Sequence, residues 1–305
     1  MKIRKSIIAL FILPAVCIYL AIFLYPTLRS LAMSFFNIPT LSSKLKDWSF
    51  VGFENYTSLF QNSYFMDSAK NVLVIWIVGG LITFFFAFLY AVILSSGVKG
   101  KTFFRSIIFL PNTVSAVVLS IVWLHYIYNS DYGFLTTFFR TIGLDYLANI
   151  QWTEDGHIFM AMLIAYCFSS IGYYLLILNA GMDRIPHDYY EAANLEGANA
   201  FYKFFRITLP LVKDVLRTTI ILWTIGAINF FVWSATFGSG GLQSSKTATP
   251  GYYMYLKVFG AERTVYQVED FNIGSGATVG VLITLAILIL SYIINLFFRK
   301  ERLEY

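Results

Sequence analysis

Long apolar runs separated by short polar segments dominate the chain. Six runs reach the roughly 20 largely apolar residues that a helix needs to cross the hydrocarbon layer of a bilayer. They are residues 7–28, 72–94, 106–128, 158–181, 215–237 and 278–298. Only Arg217, near one end of the fifth run, places a charge in any of them. Apolar and polar residues do not alternate with a period of two, so the pattern predicts helices and argues against a barrel.

Composition supports a membrane location. Of the 305 residues, 58% are hydrophobic and 13% charged, against roughly 45–50% and about 25% in soluble domains. Aromatic residues make up 19% of the chain, as expected where Trp and Tyr line both membrane interfaces. We therefore predict an all-α polytopic protein of the cell membrane with six transmembrane helices.

The distribution of Lys and Arg predicts the orientation. Thirteen of the 22 basic residues fall in the N-terminal tail, the loops after the second and fourth runs, and the C-terminal tail, and Arg217 just beyond the second of these loops makes fourteen on the same side. By the positive-inside rule both termini and the polar insert at 183–211 are cytoplasmic. We accordingly divide the chain into residues 1–70, a first transmembrane helix with an extracellular segment; 71–298, the five remaining helices; and 299–305, a cytoplasmic tail.

The first apolar run also admits a signal-peptide interpretation, because it follows Lys2, Arg4 and Lys5. The run is longer than a signal core, however, and no A-x-A cleavage site follows it. We expect a retained membrane helix.

Several functional classes find no support in the sequence. The net charge of +5 is spread over short groups without a basic cluster, so nucleic-acid binding is not expected. Cys17 and Cys167 lie inside apolar runs and suit small buried side chains. His125, His157 and His187 are far apart in sequence, so no metal site is expected.

A polar, helix-forming segment, YYEAANLEGANAFYKFFRITLP, interrupts the apolar sequence at residues 189–210. Asp188 and Glu191 have the spacing of a capping box, which predicts the start of a short helix. Gly197 is placed to end that helix in the left-handed conformation. A second helical stretch is expected over 199–205, and Pro210 is expected in the first turn of the fifth span.

Two interpretations of this segment are open from its residues alone. Ala192 and Ala193 leave a small helix face on which another backbone can approach closely, as in protein docking. Alternatively, the segment lies on the lipid headgroups with Phe201, Phe204 and Phe205 as anchors.

The segment resembles a known family motif. E-A-A-x-x-x-G at 191–197, followed by I-x-L-P at 207–210, is similar to the EAA loop of binding-protein-dependent ABC importer permeases. The longer string IPHDYYEAANLEGANAFYKFFRITLPL resembles the carbohydrate-type version of that loop. VGFENYTSLF at 51–60 and FRSIIFLPNTVSAVVLSIVW at 104–123 are similar to further segments of the same family. Glu196 stands where an aspartate is common, which keeps the charge.

The resemblance implies a type I ABC importer permease fold and a set of partners. Glu191, Ala192, Ala193 and Gly197 would dock in a cleft of an ATPase subunit, and Ile207, Leu209 and Pro210 would close the loop. The implied partners are two ATPase subunits that bind ATP and Mg, a second permease subunit (a heterodimer is usual), and an extracellular solute-binding protein. The chain itself would be a transport subunit, without enzyme activity or a cofactor, for sugars, polyols or sugar phosphates.

The energy source must then lie outside this chain. No G-x-x-x-x-G-K-[ST] phosphate loop occurs, and GSGGLQSSKT at 238–247 lacks a glycine before Lys246. The spans also lack the buried Asp, Glu or Lys that ion-coupled carriers use as relays. An ion-coupled secondary carrier or channel, independent of an ATPase, is the alternative function. A membrane-embedded enzyme would need clustered His, Asp or Glu at the interface, and the loops show no such cluster. A scaffold would lack polar residues at mid-membrane, whereas the third to fifth spans contain several.

Polar and aromatic positions in the spans are candidates for the translocation pathway. Sugars favour aromatic platforms with hydroxyl and amide partners, which draws attention to Trp223 and Trp233 and to the residues around Pro111. Packing between helices is the alternative role, because Ser, Thr and Asn also join membrane helices. The candidates are Asn112, Ser115, Ser169, Ser170, Tyr173, Tyr174, Asn179, Thr224 and Asn229.

Overall fold

The computed structural model describes residues 5–95, 97–154, 156–238, 246–260 and 271–298. Lys2, Arg4, the tail at 299–305 and most of the 238–247 loop lie outside the described residues. The described residues divide into two compact units, one within the ranges Met1–Met66 and Tyr253–Leu285 and the other within Asp67–Tyr252 and Ala286–Tyr305.

Helices make up nearly all of the regular structure. In chain order they are α1 (Lys5–Tyr19), α2 (Tyr25–Met33), α3 (Glu54–Gln61), α4 (Ser63–Val74), α5 (Gly80–Ser95), α6 (Lys101–Thr113), α7 (Ala116–Val122), α8 (Phe134–Thr141), α9 (Asp145–Ala148), α10 (Ile158–Met182), α11 (His187–Leu195), α12 (Ala200–Lys203), α13 (Leu209–Leu211), α14 (Lys213–Ile228), α15 (Val232–Gly238), α16 (Pro250–Phe259) and α17 (Ile273–Phe298). π-helical turns lie at Leu20–Leu24, Ile75–Gly79, Trp123–Ile127 and Phe204–Thr208, with a 3-10 turn at Leu45–Asp47. The two short strands β1 (Phe36–Asn37) and β2 (Ser49–Phe50) are antiparallel.

The apolar runs correspond to spanning helices. Within the described residues, five helices are long and apolar enough to cross a membrane: Leu10–Met33, Ser63–Ser95, Ile158–Met182, Lys213–Gly238 and Ile273–Phe298. A sixth is obtained if the bent pair Lys101–Thr113 and Ala116–Ile127 counts as one span. The predicted helical membrane fold is therefore confirmed, apart from the β1–β2 ribbon.

The third predicted span is not the continuous helix expected from its hydropathy. Its two halves meet at 96°, with extended backbone at Val114 and Ser115. Pro111 lacks the amide hydrogen that a helix needs and crowds the preceding turn. The Thr113 hydroxyl donates to the Leu110 carbonyl at 2.7 Å, which is the acceptor that Val114 N–H would use in a continuing helix. A side chain thus replaces the backbone bond at the break.

In the first unit, two asparagines join segments that are far apart in sequence. Asn55 donates to the carbonyls of Ser34 at 2.9 Å and Phe36 at 3.0 Å. Asn272 donates to the Asn55 side-chain oxygen at 3.2 Å and accepts from the Ile38 amide at 3.3 Å. The amide of Asn55 therefore gives the VGFENYTSLF segment a structural role.

In the second unit, α10 forms the centre of the core. Its side chains at Ala161, Met162, Leu163, Leu175 and Leu178 are fully buried, and it packs against α5, α6 and α14. Gly172 permits a close approach of the α10 and α6 backbones, because a Cβ at this position would overlap the Ile108 carbonyl of α6.

A pair of tryptophans joins the second and fifth spans. In the π-helical turn Ile75–Gly79, the Gly80 amide bonds to Ile77, which leaves the Trp76 carbonyl for another donor. The Trp223 indole supplies it at 2.8 Å, and the Trp76 indole donates in return to the Thr224 hydroxyl at 3.0 Å. A Cβ at Gly80 would lie 2.8 Å from the Trp223 indole nitrogen, so the glycine makes room for this contact.

Gly80→Ala should therefore destabilise the protein by about 1–3 kcal/mol through overpacking. Gly226→Ala is the matched control on α14, because its added Cβ would meet the Tyr166 hydroxyl at 3.6 Å and the Tyr174 hydroxyl at 3.8 Å, both ordinary contacts. Thermal denaturation in detergent measures both variants. Equal midpoints for the two would contradict the assigned role of Gly80.

Candidate coupling loop and membrane cavity

The first helix of the polar insert, α11, begins at His187. The capping box predicted at Asp188 and Glu191 is wrong, because Pro186 occupies the N-cap position with φ −58° and ψ 135° and no side chain caps the helix. Proline adopts this conformation readily, so the helix starts before Asp188. Asp188 lies in the first turn, where its charge is favourable towards the helix dipole.

The C-terminus of α11 is closed by a complete Schellman motif. The Ala198 amide donates to the Ala193 carbonyl at 2.9 Å and the Gly197 amide to the Asn194 carbonyl at 3.0 Å. Gly197 has φ +74°, which confirms the left-handed cap predicted from sequence. Both ends of the helix are thus set by local backbone chemistry.

The second helical stretch of the insert is also confirmed. The Asn199 side chain accepts from the Tyr202 amide at 2.8 Å and caps α12, which continues into the π-helical turn Phe204–Thr208. The expectation for Pro210 is wrong: it lies in the separate one-turn helix α13, and α14 begins at Lys213. The backbone leaves the helical conformation at Val212, with φ −92° and ψ 10°.

Side chains hold the two halves of the insert together. The Tyr190 and Thr208 hydroxyls lie 2.9 Å apart, and the Lys203 ammonium donates to the Asn194 side-chain oxygen at 2.7 Å. The insert is therefore an internally bonded unit.

The proposed docking residues lie on an accessible part of this unit. Glu191, Ala192, Gly197 and Pro210 are exposed, whereas Ala193, Ile207 and Leu209 are half-buried. Sequence reasoning missed Leu195, whose side chain is 90% exposed. A leucine between the polar residues Asn194 and Glu196 was the available signal.

Five of the predicted pathway residues line one cavity of 320 Å³ in the second unit. They are Asn112 on α6 and Ser169, Ser170, Tyr173 and Tyr174 on α10. Trp233, predicted as an aromatic platform, also lines it. Tyr166 was missed, although it lies seven residues before Tyr173 and therefore on the same helix face.

Other candidates do not line this cavity. Thr224 is fully buried and bonded to Trp76, and Trp223 belongs to the same contact. Asn229 donates to its own helix at the Ile225 carbonyl, 3.0 Å away. Ser115 is exposed at the break in the third span, and Asn179 accepts a hydrogen bond from Arg105.

A larger cavity of 760 Å³ contains none of the predicted residues. Its polar side chains include His125, Asn129 and Thr153. Over the described residues, no group of three or more His, Cys, Asp or Glu side chains could hold a metal ion.

Cysteine accessibility tests whether the smaller cavity is open to water. In a Cys17→Ser background, Tyr173→Cys and Val114→Cys should react with a charged methanethiosulfonate reagent, because both positions line the cavity and are exposed. Cys167 is the native control: it lies on α10 but is only 2% exposed. Reaction of Cys167 as fast as that of the introduced cysteines would contradict this assignment.

Comparison with known proteins agrees with this architecture. Residues 79–302 match the family model described as "Binding-protein-dependent transport system inner membrane component". The chain is 27% identical over 288 residues to the probable ABC transporter permease protein YurN of Bacillus subtilis, covering 93% of this chain and 94% of that protein. It is 28% identical over 292 residues to the arabinooligosaccharides transport system permease protein AraP of Halalkalibacterium halodurans, covering 94% and 86%.

The fold also has a counterpart among solved structures. A chain in the crystal structure of a bacterial ABC transporter involved in the import of the acidic polysaccharide alginate superimposes with a TM-score of 0.78. The match has 19% sequence identity and covers 97% of this chain and 96% of the other. The matched residues 79–302 make up most of the sequence, and they confirm the resemblance seen in the EAA loop: the chain belongs to the family of inner membrane components of binding-protein-dependent transport systems, the permeases of ABC importers.

Proposed function

We propose that this permease is one of two membrane subunits of an ATP-driven importer for carbohydrates or related polyols and sugar phosphates. Its partners are a second, different permease chain, two ATPase subunits that bind ATP and Mg, and an extracellular solute-binding protein. The relative AraP is named for arabinooligosaccharides and the structural counterpart for alginate. These names support a saccharide as the solute.

The observation that carries the proposal is the exposed, rigid helix α11. Its ends are fixed by Pro186 and by the Schellman motif at Gly197, while Glu191, Ala192 and Leu195 face outwards. A short helix with small and apolar exposed side chains suits docking into a cleft on another protein. We assign Glu191, Ala192, Ala193 and Gly197 to that contact and Ile207, Leu209 and Pro210 to the return of the loop.

The orientation follows from charge. Lys99, Lys101, Arg184 and Lys203 lie on the same side of the membrane by span counting, and the positive-inside rule makes that side cytoplasmic. Both termini are then cytoplasmic in the inner membrane. Residues 71–298, including the coupling loop at 183–211, form the permease core, preceded by 1–70 and followed by the tail at 299–305.

The cavity suits the uncharged part of a saccharide. The tyrosine rings at 166, 173 and 174 and the indole of Trp233 offer apolar faces beside the hydroxyls of Ser169 and Ser170, and none of the described residues that line the cavity is charged. Burying a charge in such a site would be costly without a partner. The lining therefore favours neutral sugars and polyols over sugar phosphates at this position.

Transport then follows from differential binding to two conformations. ATP favours the closed ATPase pair, and loaded binding protein favours the outward-facing pore. Each ligand shifts the equilibrium only by the difference in its affinities for the two states. A stiff α11 conveys the movement of the ATPase subunits better than a flexible loop would.

Gly197→Val tests the docking role. A β-branched residue at φ +74° costs about 1–2 kcal/mol and disturbs the helix end, so less ATPase should co-purify in mild detergent. Gly143→Val is the matched control, since Gly143 has φ +77° and, like Gly197, nothing within 4 Å of an added Cβ. ATPase recovery that is equal in the two variants would contradict docking at α11.

Tyr173→Ala tests the solute cavity. Losing an aromatic contact worth about 1.5 kcal/mol corresponds to roughly tenfold weaker solute binding. Uptake of radiolabelled arabinooligosaccharides, maltose and glycerol 3-phosphate is measured with the assembled transporter. Tyr126→Ala is the control, since Tyr126 is 63% exposed in the bent third span and does not line the cavity. Equal affinities for the transported sugar in the two variants would argue against the cavity as its path.

A further inference from the structure

A cluster centred on Arg105 connects α6 to the end of α10. Its guanidinium donates to the side-chain oxygen of Asn179 and lies 3.4 Å from a carboxylate oxygen of Asp183. Asn179 is fully buried, and Asp183 is the C-cap residue of α10. Charge-assisted hydrogen bonds are stronger than neutral ones, and a cation is favourable at a helix C-terminus.

The same two helices are joined at two further levels. At Gly172 the α10 backbone approaches Ile108 so closely that no side chain fits between them. One turn further along α6, the Asn112 amide donates to the Ser169 carbonyl at 3.4 Å. Asn112 and Ser169 both line the cavity. Contacts at three levels make α6 and α10 move together between the Arg105 cluster and the cavity wall.

The coupling loop is attached at the Arg105 end of this pair. α10 ends at Met182 and α11 begins at His187. The linking residues are themselves ordered: the Ile185 amide bonds to the Met182 carbonyl at 3.0 Å, and Ile185 is buried. A displacement of α11 is therefore passed directly to the end of α10, beside Asp183.

We infer that Arg105 is a positioning residue that fastens the cavity-lining helix α6 to the helix carrying the coupling loop. This inference rests on the proposed docking of α11 to an ATPase. α6 follows the movement of α10 as far as the break at Val114 and Ser115, where the 96° bend separates it from α7. Lys101, which is exposed on the same helix, supplies positive charge without this contact.

The test measures the accessibility of a residue in the cavity wall, so it does not require the solute to be known. Val114→Cys, in the Cys17→Ser background, reports the reaction rate with a charged methanethiosulfonate reagent in the assembled transporter, with and without ATP and vanadate. We expect nucleotide to change this rate, and Arg105→Gln to reduce that change by about fivefold or more, a typical size for coupling between sites. ATPase recovery should remain normal. Lys101→Gln is the matched control and should keep the full response.

A double-mutant cycle identifies the contact involved. The quantity compared is the nucleotide-dependent change in the reaction rate of Val114→Cys. If Arg105 acts through Asn179, the double variant Arg105→Gln with Asn179→Leu should lower this change no further than Arg105→Gln alone. Additive losses would overturn the inference, as would a full nucleotide response in Arg105→Gln or no response with Arg105 intact. Should Arg105→Gln fail to assemble, Arg105→Lys is measured instead. It keeps the charge but not the planar fork, and a full response there overturns the inference.

Glu191→Lys separates this inference from the proposed function. If that variant loses ATPase while Arg105→Gln retains the full response, only the role of Arg105 is wrong. If Glu191→Lys and Gly197→Val both retain ATPase and nucleotide response, docking at α11 is itself wrong.

Discussion

Hydrogen bonding of the backbone is the constraint on which this structure depends. Inside a bilayer, a carbonyl or amide that leaves the helical pattern cannot turn to lipid for a partner. The second span departs from regular helix at the turn Ile75–Gly79 and the third at the break after Thr113, and at each of these two sites a side chain donates to a backbone carbonyl. The Trp223 indole serves the Trp76 carbonyl, and the Thr113 hydroxyl serves the Leu110 carbonyl. Irregular backbone is thus tolerated at these sites because particular side chains lie beside it.

This constraint explains which parts of the fold the sequence could reveal. The spans were readable because length and hydropathy suffice to identify them. The cap at Gly197 was readable because a glycine after a short helix has a local backbone preference. The π-helical turn at Ile75–Gly79 was not, since it depends on Trp223, which is 147 residues away. The start of α11 was predicted wrongly because both Pro186 and Asp188 are residues that begin helices. In the structure Pro186 occupies the N-cap position and Asp188 lies in the first turn.

The residues of the candidate cavity also could not all be identified from the sequence. Ser169, Ser170 and Thr224 are all hydroxyl residues in apolar spans, and their chemistry alone does not distinguish a cavity wall from a packing contact. The difference lies in the neighbours: α10 turns its serines towards the space left by the bend after α6, whereas Thr224 meets Trp76. The role of such a residue therefore depends on which face of its helix it occupies and on which helix packs against that face. The packing partner cannot be read directly from a single sequence.

The distribution of charge separates the two tasks proposed for this chain. Aromatic rings, hydroxyls, one amide and aliphatic side chains line the candidate cavity, whereas Arg105, Asp183 and Glu191 lie beside or on the candidate coupling loop. Charged side chains at the membrane boundary can form strong, directional contacts at a lower desolvation cost than at mid-membrane. Neutral groups in the cavity can bind a sugar without the penalty of an unpaired charge. The α6–α10 pair connects these regions. In the proposed mechanism the contact that transmits movement is therefore made where charge is tolerated, and its effect reaches the cavity through packed helices.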